Sequence, residues 1–132
     1  HASAGAIAIG VRAPLVAFNV VLATDDLAVA RSIARTIRER DGGMRTLRAL
    51  GIPLGNGRVQ VSCNITDHAA TPLHHVFGTI RALAARTGVT TEGSELIGLV
   101  PRAALEAVAA SALGGDPPKC GVWEELAEVP DS

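Results

Sequence analysis

The chain has 132 residues, of which 48% are hydrophobic and 19% charged, and its net charge is −1. That length holds one domain, and the apolar content excludes wholesale disorder. With Lys and Arg spread along a near-neutral chain, a phosphate-tracking nucleic-acid binder and a polybasic membrane anchor are both disfavoured, and no apolar run reaches the length of a membrane span.

Much of the apolar content is alanine, and aromatics are only 2% (Phe18, Phe77 and Trp123). Small side chains allow close helix-to-sheet packing but bury little area each, so the core is expected to be modest and a further partner surface would help it. Cys63 and Cys120 are too few for a disulfide framework. No signal-peptide pattern opens the chain, and the cytoplasm is the expected location. The chain starts at His1 and enters an apolar strand almost at once, which reads as a piece of a longer protein.

Residues 1–12 are small and glycine-punctuated and are expected to form an entry segment. Leu15–Leu22 is an apolar run broken only by Asn19 and reads as a central strand. Thr24 offers an N-cap, and Leu27, Ala30, Ile33, Ala34 and Ile37 follow at helical spacing until Gly42-Gly43. Met44–Leu50 predicts a weaker edge strand, and Gly51–Gly57, with Pro53 and Asn56-Gly57, predicts a turn. Arg58–Thr66 alternates cleanly, with Val59, Val61, Cys63 and Ile65 on one face and Gln60, Ser62 and Asn64 on the other. Thr71-Pro72 predicts a helix start, with Thr71 as cap and a stripe of Leu73, Val76, Phe77, Ile80 and Leu83 closed by Gly88. Val89–Ile97 predicts a last strand with a bulge at Gly93, and Pro101 opens a third helix carrying Leu105, Val108, Ala109 and Ala112. Residues 114–132 read as a loosely attached tail.

The order βαββαβ predicts an α+β, ferredoxin-like sandwich over residues 13–113, plus a C-terminal helix. Its four-stranded antiparallel sheet would carry both crossover helices on one face and leave the other open, with the first and third strands central. If Val59, Val61, Cys63 and Ile65 face the helices, Gln60, Ser62 and Asn64 face the open side. Pointing Phe18 and Val20 at the helices turns Asn19 to the same side. Two central strands would thus present a polar strip on an uncovered sheet.

The segments GAIAIGVRAPLVAFNV, VQVSCNITD, TPLHHVF and GSELIGLVP, in this order, resemble the C-terminal subdomain of the glutamate formimidoyltransferases. The resemblance implies an enzyme that moves a formimidoyl group between N-formimidoyl-glutamate and tetrahydrofolate in histidine degradation. It implies two ferredoxin-like subdomains with facing sheets and substrates in the groove between them. It also implies that the catalytic histidine lies in the N-terminal subdomain, so no histidine here inherits that role. Folate contacts would come from the entry segment, at Ser3, Gly5, Ala6 and Arg12, and from Asn19, Gln60, Ser62 and Asn64 on the sheet. Tetrahydrofolate is expected as a substrate, with no metal. Partners implied are folate and glutamate-type small molecules and an N-terminal formimidoyltransferase subdomain.

Each of these readings has a plainer rival. Asn19 and Asn64 are either ordinary sheet-surface amides or ligand-facing ones. Arg12 pairs either with a substrate carboxylate or with a surface acid. Glu95 orients a substrate amine or is a solvated strand-end carboxylate. Asp67 reads as a turn residue rather than an acid or base, and Cys63 as a buried, reduced thiol rather than a nucleophile. His68, His74 and His75 fit no zinc spacing, and His74 is expected to bond locally near its helix start. A free-standing, non-enzymatic ferredoxin-like module that binds a ligand or forms a homodimer through the open sheet is the alternative to half of an enzyme.

Overall fold

Alternation of apolar and polar residues builds the sheet. In the computed structural model, which describes residues 15–114, β1 (Val16–Leu22) and β3 (Val59–Ile65) share one burial pattern, with every second residue buried. They pair antiparallel with Phe18 opposite Cys63 and Asn19 opposite Ser62. β2 (Leu47–Pro53) adds to the outer side of β3 and β4 (Thr91–Ile97) to the outer side of β1, giving the order β2-β3-β1-β4 with all pairs antiparallel. β1 and β3 are central, and the arrangement is the ferredoxin-like one.

Two helices supply the other layer. α1 (Leu27–Ile37) buries Ala30, Ile33, Ala34 and Ile37, and α2 (Leu73–Ala85) buries Leu73, Val76, Ile80 and Ala84. These stripes join Val16, Phe18, Val20 and Leu22 of β1 and Val59, Val61, Cys63 and Ile65 of β3 in one core. Burial in apolar surroundings pushes the Cys63 thiol up to about 12, as a core residue rather than a nucleophile requires.

The cap of α1 is Asp26 rather than Thr24. Asp26 accepts from the Ala28 N–H at 3.0 Å, while the Thr24 hydroxyl accepts from the Asp26 N–H at 3.1 Å, so Thr24 orders the cap one step earlier. Thr71 is not a cap either. It is buried and donates its hydroxyl to the carbonyl of Arg45, and Pro72 takes the cap position without a side-chain bond. Phe77 and Leu83 pack only partly against the core; Ala84 completes the buried stripe.

The largest departure from the sequence expectation lies between α1 and β3. A short 3-10 turn, Glu39–Asp41, follows α1, and Gly42 closes it in the left-handed region at φ 89. Thr46 also takes a left-handed conformation (φ 61), its N–H donating to Glu39 Oε1 at 2.8 Å. These bonds use up residues 44–46, so β2 starts at Leu47 and runs through Gly51, Ile52 and Pro53, where a turn was expected. Gly51 is there for packing. Its Cα lies so close to α1 that an added Cβ would stand 2.5 Å from the Arg31 backbone nitrogen. Pro53 ends an edge strand, a position where a missing N–H is tolerated.

β4 carries the expected bulge beside Gly93. Val21 pairs with Gly93 and Leu22 with Thr91, which leaves Glu92 as the extra residue. Its carboxylate meets Arg58 Nε at 3.0 Å, tying β4 to the start of β3 across β1. α3 (Arg102–Ala112) packs on α2 and buries Ala104 and Ala110 rather than Leu105 and Ala112, which are exposed. Small alanines bring this helix close, Val108 packs partly against the core, and Leu105 stays outside.

Candidate functional site

The strand register places twelve residues on the face opposite the helices. The central row reads Leu50, Ser62, Asn19 and Glu95 across β2, β3, β1 and β4. One flanking row is Arg48, Asn64, Ala17 and Ile97, and the other is Ile52, Gln60, Val21 and Gly93. Asn19, Gln60, Ser62 and Asn64 therefore share one surface, as the alternation predicted. No described element covers it. Each of the four is half-buried. Ser3, Gly5, Ala6 and Arg12 lie outside the described residues.

The strip has internal chemistry. Asn19 Nδ2 donates to Glu95 Oε1 at 3.3 Å, which orients the amide; among the described residues its carbonyl oxygen accepts no hydrogen bond. Among the described residues, the side chains of Gln60, Ser62 and Asn64 are not engaged in hydrogen bonds, so amide and hydroxyl groups are presented outward. Glu95 is thus a mid-strand residue of the open face rather than a strand-end carboxylate. The sequence could not set it there, because the bulge at Glu92 decides which β4 residues face which way.

Two kinds of neighbour were missed. Leu50 is 60% exposed and Ile97 49% exposed, so the strip is flanked by apolar residues from both edge strands. At the β2 side the face deepens into a concavity of about 470 Å3 that includes Ser62 and Asn64, together with Arg38, Arg40, Thr46 and Arg48. Arg38 is held by Asp41 and also donates from Nη1 to the Ala49 carbonyl at 3.3 Å. Arg38 and Arg40 come from the end of α1 and the turn after it, and Arg48 from β2, opposite Asn64.

A second concavity, of about 500 Å3, lies on the helix side between α2, β4 and α3, walled by Phe18, Phe77, Leu96 and Leu105. His74 reaches it. Its Nδ1 is buried without a hydrogen-bond partner, so the expected local bond is not made by that nitrogen. Asp67 acts as a turn residue, its Oδ1 accepting from the N–H groups of Ala69 and Ala70. Among the described residues no group of three His, Cys, Asp or Glu side chains is placed to hold a metal ion, and no helix is long and apolar enough to cross a membrane.

Comparison with known proteins gives this geometry a family setting. Residues 17–113 match the model of the formiminotransferase domain. The chain is 44% identical over 110 residues to a glutamate formimidoyltransferase of Streptococcus pyogenes serotype M1, covering 83% of this chain and 37% of that protein. It is 41% identical over 107 residues to a glutamate formimidoyltransferase of Thermoplasma acidophilum, covering 80% of this chain and 35% of the relative. A formimidoyltransferase-cyclodeaminase of Mus musculus is 36% identical over 129 residues, covering 92% of this chain and 23% of the relative. The chain thus spans little more than a third of the length of the bacterial and archaeal relatives.

Proposed function

The chain belongs to the formiminotransferase domain family, and from that premise we propose that it is the substrate-holding half of a glutamate formimidoyltransferase. In this reading the open sheet face binds tetrahydrofolate and, with a second subdomain laid over it, forms the groove for formimidoyl transfer. The observation that carries it is the uncovered row Leu50, Ser62, Asn19, Glu95 on a sheet whose other face is packed into the core along β1 and β3.

The physical logic is positioning. Moving a formimidoyl group from the nitrogen of glutamate to a nitrogen of tetrahydrofolate gains most from holding both molecules in near-attack geometry. A groove between two sheets does this and excludes water. The new carbon–nitrogen bond forms at the folate amine, the old one breaks at the glutamate nitrogen, and a base moves the proton from the first to the second. The base comes from the second subdomain. Asn19, Gln60, Ser62 and Asn64 hold and orient the folate, joined by Ser3, Gly5, Ala6 and Arg12 from the entry segment. The exposed Leu50 and Ile97 fit a protein cover better than bare solvent. A second copy of the chain is the rival cover, and a monomeric mass in solution removes it.

Calorimetric titration of tetrahydrofolate, or its stable 5-formyl analogue, into the chain tests the reading. We expect measurable heat, and transferase activity on mixing with the N-terminal half of a relative. No heat and no activity on mixing would sink it.

A further inference from the structure

The concavity on the helix side is left open by the described residues. It measures about 500 Å3 and lies between α2, β4 and α3. Its apolar wall includes the half-buried Phe77 together with Leu96 and Leu105, which are 37% and 45% exposed. His74 lines it as well, and its Nδ1 is buried with no hydrogen-bond partner among the described residues. A polar atom shut off from water and left unpaired costs free energy, so folded proteins nearly always supply a partner for it. At the rim the Arg81 guanidinium stands over the Phe77 ring, 5.4 Å from the centroid. Among the described residues Arg81 forms no ion pair.

Residues 115–132 follow directly and lie outside the described residues. The end of α3 delivers them to this groove. Ser111 and Ala112 form one lip of it. Gly114 stands at φ 75 with its N–H bonded to the Ser111 carbonyl at 3.2 Å, the left-handed ending that turns a chain off the helix axis. Trp123 comes nine residues after Gly114, a reach of up to about 30 Å when extended. α3, with 11 residues, is only about 16 Å long, so the indole can reach any point of the groove.

The side chains match the groove too. Val122, Trp123, Leu126 and Val129 recur at the spacing that gives a helix one apolar side, and Glu124, Glu125 and Glu128 fall on the other. Residues 115–132 carry five acidic side chains against one lysine, whereas residues 15–114 carry ten arginines against eight acids. An apolar stripe with an acidic flank complements an apolar groove with an arginine at its rim.

We infer that the helix-side groove is the docking site of the chain's own residues 115–132, with the Trp123 ring seated against Phe77, Leu96 and Leu105 and the acidic flank beside Arg81. Leu96 neighbours Glu95 on β4, and Glu95 orients Asn19 on the opposite face of the sheet. A seated segment therefore braces the edge strand that carries both. Docking requires neither folate nor a second subdomain, so its failure and that of the transferase reading are separate results.

Trp123 is the only tryptophan and the chain has no tyrosine, so the intrinsic fluorescence of the full chain reports this residue alone. We expect its emission to be blue-shifted from that of N-acetyl-tryptophanamide, with acrylamide quenching several-fold weaker. Leu105→Asp places a charge in the groove and is expected to return both quantities to the free value. Arg81→Glu should move them part of the way, and Leu99→Asp, at a residue 93% exposed and outside the groove, should leave them unchanged. Circular dichroism checks the fold of each variant. If Leu105→Asp unfolds, nuclear Overhauser contacts from the indole to the methyl groups of Leu96 and Leu105 in the parent chain decide the matter instead, and their absence overturns docking. Docking is also overturned if the parent's Trp123 is quenched like the free amide, or if a folded Leu105→Asp keeps it protected. Protection that disappears on dilution would seat the segment in a second copy's groove and overturn docking within one chain.

Discussion

The two faces of the sheet come from the same strands and follow opposite rules. On the covered face β1 and β3 place Val16, Phe18, Val20, Leu22, Val59, Val61, Cys63 and Ile65, all buried under α1 and α2. On the open face the alternate positions carry Asn19, Gln60, Ser62 and Asn64, with exposed Leu50 and Ile97 at the margins. One face supplies stability and the other is free to be shaped by a ligand or partner. The difference predicts that substitutions on the two faces separate, one set changing folding and the other changing binding.

The largest effect is expected from Ile65→Ala, which removes a fully buried side chain from the core. Chemical denaturation should show a loss of about 2–5 kcal/mol. Gly51→Ala comes next, because the new Cβ would meet the α1 backbone 2.5 Å away. Overpacking of this kind costs about 1–3 kcal/mol, and a variant as stable as the parent would show that α1 is not seated as described.

Cys63 gives the covered face a pH signature. Burial raises its folded pKa from 9.0 to about 12, so the native state keeps a proton that the unfolded chain releases. Its contribution is fully present below pH 9 and is lost between about 9 and 12, at about 1.4 kcal/mol per pH unit. Denaturation midpoints measured from pH 8 to 11 should fall less steeply in Cys63→Ala than in the parent. The smallest effect on stability is expected from Asn19→Ala, which loses only an exposed 3.3 Å bond to Glu95. It should change stability by no more than about 0.5 kcal/mol while weakening folate in the calorimetric titration.

The covered face was legible in the sequence because alternation and helical spacing are properties of short segments. The pattern Val59, Val61, Cys63, Ile65 required no knowledge of the rest of the chain, and it placed Ser62 and Asn64 correctly as well. What escaped were features set by contacts distant in sequence. Gly51 and Pro53 carry the composition of a turn, yet pairing with Val61 and Val59 holds them in β2. Thr71 looks like a cap, but the carbonyl of Arg45 takes its hydroxyl. The facing of Glu95 depends on one extra residue at the bulge. Arg40 reaches the site from the turn before Thr46, whereas Arg48 stands there by the alternation of β2, opposite Asn64. Strand periodicity accounts for the sheet residues of the site, and the turn after α1, which periodicity does not encode, brings in Arg38 and Arg40.

The separation of the two faces is tested most directly by a matched pair of bulky substitutions. Ser62→Trp stands in the middle of the open face, and Ser32→Trp stands on the exposed side of α1. The measurement is the calorimetric affinity for 5-formyl-tetrahydrofolate, with denaturation as the control for folding. We predict that both variants stay within about 1 kcal/mol of the parent in stability, while only Ser62→Trp loses roughly ten-fold or more in affinity. Equal binding by the two variants would contradict the assignment of the open face as the ligand-holding surface.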